Sequence, residues 1–420
     1  MSTILALTVG GSPAPVLTAV RDYQPAHVCF IATSGSKGSR PTVDGPGRPC
    51  RTDSGDAPSI VTQLGLATHQ FRVVELNDPD DLPQIYAVCR ETLRALAQEF
   101  PAARRIADYT GGSKSMGVGL ALAALESGWD LSLVRGQRTD LVKVVDGTEM
   151  AGLVNSWEVR ARQQMEEARH LFNAYAYASA GELLAGLLRQ APLSPDLEHT
   201  IRQWVTLCRG FDAWDRFDHP GAARLLEPVQ SQIVPQWRFL KTLTGQARAA
   251  GYEPVLDLVR NAERRAARGR YDDAVARLYR AIELLAQTRL RQRDPALDSS
   301  DLDLTRLPPN VQPRYERWRD TSDGQVKLGL VQDYTLLADL DDPLGRAWLS
   351  SEGRLLDAIK HRNHSILAHG LEPLDRAGYE KMHTVATHLI QEGLTALGLQ
   401  LTAPQFPRLE SDGLHLRSTD

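Results

Sequence analysis

The sequence has few cysteines and no long apolar run. It has only four cysteines in 420 residues, and no two of them form a Cys-x-x-Cys pair: Cys29, Cys50, Cys89 and Cys208. This spacing indicates neither a zinc knuckle nor a disulfide framework, and it suits a reducing compartment. No stretch reaches the roughly 18 uncharged apolar residues that span a bilayer, and no basic segment precedes the apolar run near Met1. We therefore expect a cytoplasmic protein without a membrane partner.

The sequence also lacks an excess of charge of one sign. Its 48 basic and 52 acidic residues give a formal net charge of -4 at pH 7. If a nucleic acid binds, a local basic groove must hold it, because phosphate attraction depends on where Lys and Arg lie. A hydrophobic content of 42% with 24% charged residues is typical of a globular protein. Because one hydrophobic core rarely covers 420 residues, we expect two or three domains.

The first 150 residues alternate β-rich runs with helical patterns. Five runs rich in Val, Ile, Leu and aromatic residues predict strands, at residues 4–9, 27–32, 71–76, 105–109 and 131–134. Helical periodicity follows in residues 83–99 and 116–127. This alternation predicts an α/β, Rossmann-like domain with a parallel sheet over residues 1–150. Ligands of such sheets bind at the carboxyl ends of the strands.

Residues 35–59 interrupt this alternation with many Gly, Pro and Ser residues and no apolar period. The composition predicts a mobile loop. Two interpretations stay open, a flap over a ligand and an insertion without a role.

From Trp157 onward, helical periodicity dominates to about residue 400. Helices are predicted at residues 166–177, 181–189, 196–208, 220–229, 255–268 and 270–291. We expect an all-α region made of a linker domain at 151–250, a second domain at 251–403 and a flexible tail at 404–420. The last long helix is predicted from 344 to 370, with Gly370 as its cap and Pro373 preventing continuation. The run at 270–291 also fits half of a tetratricopeptide hairpin, but no sustained repeat supports that interpretation.

A Gly-rich segment, DYTGGSKSMG at residues 108–117, follows a predicted strand and opens a helix. Its glycines allow a phosphate to approach the backbone, and helix N-terminal amides, hydroxyls and Lys114 add donors. The GxxxxGK[ST] and GxGxxG spacings are absent, which disfavours ATP hydrolysis and dinucleotide binding. Two further turns, Gly10-Gly11-Ser12-Pro13 and Thr33-Ser34-Gly35, end the first two strands. Each alone is more often a tight turn, but three at one sheet edge favour a phosphate-bearing ligand.

The DYTGGSKSM segment, its place after a strand and the helical remainder resemble the CRISPR-associated CARF proteins, which are ancillary effectors of type III systems. The resemblance covers the first third of the chain. It implies a domain that dimerises and binds a cyclic oligoadenylate across the two-fold axis, with tetra-adenylate favoured. The ligand contacts that it implies are Thr110, Gly111, Gly112, Ser113 and Lys114, with Gly11, Ser12 and Ser34 as weaker candidates.

A second motif, RNHSILAH at residues 362–369, lies at the end of the last predicted helix. Helical steps of three and four residues place Ile359, Arg362, Ile366 and His369 on one stripe. Histidine exchanges protons near neutral pH and arginine donates in pairs to phosphate oxygens, which suits metal-free RNA cleavage by the 2′-hydroxyl. On one helix the two residues lie roughly 10 Å apart along the axis. Two copies facing each other across a dimer axis would complete a site.

This segment resembles the R-x4-6-H motif of HEPN ribonucleases. The resemblance implies that Arg362 and His369 are catalytic and that Asn363 supports them, with Glu283 as a candidate for orienting Arg362. Two other interpretations stay open. In one, His369 complements the helix C-terminus while Arg362 makes a salt bridge. In the other, His361, His364 and His369 bind a metal, although no carboxylate or cysteine completes such a set and we expect none.

Together the two resemblances imply a homodimeric CARF–HEPN endoribonuclease whose C-terminal helices include a HEPN-type bundle. It would cut single-stranded RNA without a metal or other cofactor, leave a 2′,3′-cyclic phosphate, and respond to a cyclic oligoadenylate as activator. Two alternative functions are a ring nuclease that degrades the cyclic nucleotide and a ligand-responsive regulator without catalysis.

Overall fold

The computed structural model describes residues 2–35, 37–52, 55–136, 148–154, 156–190, 193–363, 366–367, 370–410 and 416–417. The side chains of residues 190, 351, 360–363 and 416–417 are outside this description. The chain divides into two compact units, Met1–Arg162 and Gln163–Asp420. Among the helices described, none is long and apolar enough to cross a membrane.

The first unit is built on a six-stranded sheet. In chain order its elements are β1 (Thr3–Thr8), α1 (Ala14–Tyr23), β2 (His27–Thr33), α2 (Arg40–Asp44), β3 (Cys50–Thr52), β4 (Gly55–Ala57), α3 (Ile60–Leu64), β5 (Phe71–Leu76), α4 (Leu82–Glu99), β6 (Arg104–Asp108), α5 (Lys114–Ser127), β7 (Asp130–Arg135) and β8 (Met150–Val154). The strand order is β5-β2-β1-β6-β7-β8, and only β8 runs antiparallel to its neighbour. The predicted α/β class is confirmed.

The five predicted strands correspond to the five parallel strands of this sheet, β1, β2, β5, β6 and β7. β1 and β2 are buried along almost their whole length, because helices cover both faces of a parallel sheet and its strands become continuous apolar runs. The prediction lacks β8, where Gly152 lowers strand propensity and Met150 and Leu153 are exposed at the sheet edge. It also lacks α1, whose apolar residues form only a ten-residue pattern.

Residues 35–59 differ from the loop that their composition predicts. They contain α2 and an antiparallel hairpin of β3 and β4. Val43 and Cys50 are buried in the core of the sheet domain, and the Cys50 thiol donates to the Thr42 carbonyl oxygen over 3.4 Å. These two side chains fix the segment, and two isolated buried residues give no apolar period in the sequence.

Helix α6 begins in the first unit and ends in the second. The second unit is helical. Its elements are α6 (Trp157–Asn173), α7 (Tyr177–Gln190), α8 (Pro195–Asp215), α9 (His219–Leu226), α10 (Val234–Leu243), α11 (Glu253–Ala267), α12 (Tyr271–Gln292), α13 (Gln312–Glu316), α14 (Leu330–Asp339), α15 (Pro343–Asn363), α16 (Arg376–Ala396), β9 (Arg408–Leu409) and β10 (Leu416–Arg417). The predicted helices are present with shifted ends, and the predicted all-α class is confirmed.

Helix α12 is the centre of the larger core in this unit. Its predicted apolar stripe is fully buried, including Ala274, Leu278, Ile282 and Leu285. The Tyr334 hydroxyl of α14 donates to the Ile282 carbonyl oxygen at 2.8 Å.

Asp342 joins the start of α15 to α12. Its carboxylate accepts from the Leu344 amide at 3.0 Å and from Arg289 Nε at 2.9 Å, and Arg293 also donates to it. Because the carboxylate caps the helix and pairs with α12 at once, it fixes where α15 begins.

The beginning of the expected tail is packed, contrary to the prediction of a flexible segment from residue 404. Phe406 is buried against the rings of Phe211 and Trp214. Gln405 accepts from Arg264 Nη1 at 2.8 Å, and its carbonyl oxygen accepts from Gln236 Nε2 at 2.9 Å. The sequence of this segment is polar and contains prolines. No local sequence pattern therefore predicts that the phenyl ring of Phe406 completes a core.

Asp333 on α14 provides a test of the energetics of the helical core. Its side chain is 0% exposed, and neither carboxylate oxygen accepts a well-formed hydrogen bond from a described residue. Burial, assisted by the nearby Glu283 carboxylate, raises the pKa of Asp333 to about 8.

A carboxyl group whose pKa is higher in the folded chain than in the unfolded chain loses stability as pH rises between the two values. The Asp333→Asn variant should therefore match the parent protein near pH 4 and unfold at a higher temperature near pH 8, with each unit of pKa difference contributing about 1.4 kcal/mol at most. Thermal unfolding followed by circular dichroism from pH 4 to 9 measures this difference. Asp301→Asn, at an exposed position, is the control. A difference that does not grow with pH contradicts the prediction.

Candidate ligand cleft and nuclease motif

The three predicted turns follow β1, β2 and β6, which are neighbours in the sheet and run in the same direction. Their carboxyl ends therefore meet at one edge, where parallel sheets bind ligands. The first and third of these turns are in direct backbone contact. A Cβ atom built on Gly10 would lie 2.8 Å from the Gly112 nitrogen, and one on Gly111 would lie 2.2 Å from the Thr8 carbonyl oxygen. Since real Cβ atoms do not approach so closely, these positions require glycine.

Hydrogen bonds fix the same contact. The Thr8 hydroxyl donates to the Gly111 carbonyl oxygen at 2.6 Å. Gly112 has a φ of +82°, a left-handed conformation that glycine adopts without strain. The backbone here is thus held in a shape that no side chain obstructs.

The second turn is attached to the first by Ser39. Its hydroxyl donates to the Val9 carbonyl oxygen at 2.7 Å and accepts from the Thr33 amide at 3.0 Å. Ser34 points elsewhere, since its hydroxyl lies 3.4 Å from Asn77 Oδ1. The three turns are therefore close, but Ser34 is not among the residues that line the cleft described below.

A network of buried hydrogen bonds fixes the position of Thr110. The Asp108 carboxylate accepts from the Ser132 hydroxyl at 2.7 Å and from the Thr110 amide at 3.0 Å. The Tyr23 hydroxyl lies 3.0 Å from the Ser132 hydroxyl, and the Thr110 hydroxyl accepts from the Val134 amide at 2.7 Å. Burial raises the pKa of Asp108, while the hydrogen bonds from Ser132 and Thr110 oppose that rise.

A cleft of about 460 Å³ opens at this edge of the sheet. Three predicted contacts line it: Gly11, Ser12 and Thr110. The charged groups around it are Arg51, Arg135 and Glu149. Arg51 and Arg135 are absent from the sequence prediction, because neither follows a glycine turn and composition does not distinguish them from other arginines.

The remaining predicted contacts lie next to the cleft rather than on its lining. Ser113 caps α5, since its hydroxyl accepts from the Met116 amide at 3.1 Å and donates to the Pro79 carbonyl oxygen at 2.5 Å. Lys114 is the first residue of α5 and is exposed, with no ion-pair partner in the described part of the chain. Their contacts with a ligand, like those of Gly111 and Gly112, stay predictions.

The second motif lies where α15 ends. Arg362 and Asn363 are in the last turn of the helix, and their side chains lie outside the described structure, as does the whole of His369. Residues 366–367 form a turn, so the predicted helix through Gly370 is wrong. Ile366 is 63% exposed rather than part of a buried stripe.

Glu283, the candidate partner of Arg362, accepts from Arg280 Nη1 at 2.9 Å. Its predicted role towards Arg362 stays a prediction. Among the described residues, no three His, Cys, Asp or Glu side chains are grouped to hold a metal ion. The alternative set of His361, His364 and His369 lies outside the described side chains.

Two family models match the helical unit. Residues 246–392 match the Csm6 HEPN domain, and residues 161–250 match the Csm6 6H domain. Together they span more than half of the chain, and the first includes the RNHSILAH motif. No protein with a curated function matches the sequence significantly.

The solved structure of Enterococcus italicus Csm6 bound to cyclic hexa-2'-fluoro-hexa-dAMP is similar over nearly the whole length. It covers 95% of this chain and 95% of its own, with 14% identity and a TM-score of 0.60. At this identity the likeness shows the fold alone. Can2 from Sulfobacillus thermosulfidooxidans, in complex with cyclic tetra-adenylate, covers 55% of this chain and 68% of its own at 15% identity. Its TM-score of 0.23 is too low to carry an argument.

The contact between the glycine turns makes a prediction about stability. A methyl group at Gly111 would meet the Thr8 carbonyl oxygen, whereas one at Gly11 meets no atom within 4 Å. Gly111→Ala should therefore destabilise the sheet domain by about 1–3 kcal/mol, and Gly11→Ala should leave stability nearly unchanged. Limited proteolysis and thermal unfolding of both variants measure the effect. Equal stability of the two variants would show that the turns do not depend on this close approach.

Proposed function

The chain belongs to the Csm6 family of CARF–HEPN ancillary effectors of type III CRISPR systems, and from that premise we propose that it is an endoribonuclease activated by a cyclic oligoadenylate. The observation that carries the proposal is the presence, in one chain, of a matched HEPN domain containing Arg362 and His369 and of a cleft at the edge of a parallel sheet. The cleft would receive the activator and the motif would cut RNA.

The cleft suits a ligand with several phosphates. Gly11, Ser12 and Thr110 line it with small side chains, and the guanidinium groups of Arg51 and Arg135 border it. The size of the ring is the finer part of the proposal. Resemblance favours tetra-adenylate, whereas the E. italicus structure contains a cyclic hexanucleotide analogue. Both rings therefore belong in the test.

The motif suits cleavage by the 2′-hydroxyl of the RNA itself. His369 would move a proton to or from the reacting oxygens, and Arg362 would stabilise the charge on the phosphorane, with Asn363 in support. This chemistry requires no metal and leaves a 2′,3′-cyclic phosphate and a 5′-hydroxyl. Unpaired RNA would be the substrate, because its bases and backbone reach the site freely.

Two copies of the motif would form one site. Ile366 and Leu367 within the motif and Leu371 after it are 63%, 47% and 88% exposed. Large apolar side chains in such a group are typical of a surface that another protein covers. A second copy docked there would bring two Arg362 and two His369 residues to one phosphate, in the isologous arrangement of a two-fold dimer.

Activation then follows from differential affinity. A cyclic oligoadenylate shifts the enzyme towards the cutting arrangement only if it binds that arrangement more tightly than the resting one. The cyclic nucleotide should therefore lower the amount of enzyme needed for a given rate without itself entering the reaction.

Cleavage of labelled single-stranded RNA in EDTA, with and without cyclic tetra-adenylate or hexa-adenylate, tests the function. We expect cleavage with one ring or both, and a loss of roughly 100-fold or more in His369→Ala and Arg362→Ala, in line with the usual contribution of general acid–base catalysis. The products should carry a cyclic phosphate, which acid or a phosphatase distinguishes from a free 3′-phosphate.

His388→Ala is the matched control, since this histidine lies on α16 and is exposed beside Glu392. It should retain full activity. Cleavage that survives unchanged in His369→Ala contradicts the assigned site, and no cleavage with either ring contradicts the proposed function.

The dimer has its own test. Leu371→Glu places a charge among the exposed apolar residues next to the motif, and it should convert dimers into monomers in sedimentation velocity and lower RNA cleavage in parallel. Val234→Glu, a similar change at an exposed position in the first turn of α10, should do neither. A Leu371→Glu protein that stays dimeric and active would place the interface elsewhere.

A further inference from the structure

The hairpin of β3 and β4 borders the cleft, although its sequence predicts a loop. Its position is fixed on one side by the buried Cys50 and on the other by Arg48, whose Nε donates to the Asp56 carbonyl oxygen at 2.6 Å. Cys50 pairs with Ala57 and Arg51 pairs with Asp56 across the two strands. The segment is therefore an ordered part of the cleft boundary and not an unconstrained loop.

Arg51 points away from the core because Cys50 points into it. Successive residues of a strand face opposite sides, so the burial of Cys50 directs Arg51 outward, where it is exposed and lines the cleft together with Gly11 and Ser12. Within the described part of the molecule its guanidinium makes no ion pair. Other arginines of this unit do: Arg40 with Asp44, Arg72 with Glu99 and Arg104 with Asp130.

Arg135 lies on the cleft lining at the end of β7. The residue before it, Val134, donates its amide to the Thr110 hydroxyl at 2.7 Å, which fixes the strand end next to the glycine turns. Arg135 is exposed and, like Arg51, has no ion-pair partner among the described residues. Glu149 is the carboxylate on the same lining, so among the described lining residues two guanidinium groups face one carboxylate.

We propose that Arg51 and Arg135 are phosphate-binding residues of the sensor cleft, and that the β3–β4 hairpin is thereby part of ligand recognition. The inference rests on the proposed function, since it assigns contacts to the cyclic oligoadenylate. A guanidinium donates to two phosphate oxygens at once. Two such groups bordering one cleft fit a cyclic ligand that presents several phosphates.

Both arginines are exposed, so their replacement leaves the core unchanged. Arg51→Gln and Arg135→Gln remove the charge and keep a polar side chain of similar length, and Arg51→Lys keeps the charge without the paired donors. Arg94→Gln is the matched control, because Arg94 is an exposed residue of α4 in the same unit that lines no part of this cleft.

Isothermal titration of the full chain with cyclic tetra-adenylate and cyclic hexa-adenylate, at low and high salt, measures the effect. We expect each Gln variant to bind about 10-fold more weakly than the parent, the usual range for one lost charge-assisted contact. The affinity of Arg51→Lys should lie between those of Arg51→Gln and the parent, and Arg94→Gln should bind as tightly as the parent. The loss should shrink at high salt, because exposed charge pairs are screened.

The outcomes separate the two proposals. If the parent protein binds a ring and Arg51→Gln and Arg135→Gln bind it equally well, the assignment of these arginines is wrong and the proposed function stands. If the parent binds neither ring, the proposed function fails and the assignment fails with it. A loss that is the same at low and high salt would show that the variants disturb the turns instead of removing a phosphate contact, and it would also overturn the assignment.

Discussion

The contact between the Gly10 and Gly112 backbones holds together the two turns that place Gly11 and Thr110 on the lining of the candidate ligand cleft. No side chain fits between the two turns, because a Cβ atom at Gly10 or Gly111 would collide with backbone atoms of the other turn or of the strand end. Thr110 takes its place from this contact and from the Asp108 carboxylate below it. The carboxylate accepts from the Thr110 amide, and the Thr110 hydroxyl accepts from the Val134 amide, so Thr110 is fixed on the lining of the cleft.

Much of this was visible in the sequence because glycine has a simple physical signature. A Gly-Gly pair after an apolar strand signals a turn that side chains would block, and turns that follow parallel strands meet at one sheet edge. Continuous apolar runs likewise identified the inner strands. The signal weakens at the sheet edge, where β8 contains Gly152 and exposes Met150, and it disappears in the hairpin, which two buried side chains hold without any periodic pattern.

The charged residues of the cleft could not be predicted from the sequence, for a different reason. Arg51 reaches the cleft only because Cys50 is buried, and the burial of Cys50 depends on contacts with residues distant in the chain. A near-neutral overall charge does not show where individual cations lie. Phosphate binding depends on the positions of cations that have no ion-pair partner. The tail shows the same limit: Phe406 completes an aromatic core formed by Phe211 and Trp214, and no local pattern marks it.

The helix that carries the RNHSILAH motif is constrained at one end and open at the other. Asp342 fixes the start of α15 to α12 through Arg289 and Arg293, and Leu355 and Ile359 remain in the core. The helix α15 ends at Asn363, and Ile366, Leu367 and Leu371, which follow it, are exposed. The intrachain core thus holds the helix as far as Ile359, while these three residues present apolar surface to solvent. In the proposed dimer a second copy would cover this surface, because an isologous interface uses the same surface on both chains and would bring the two motifs to the axis.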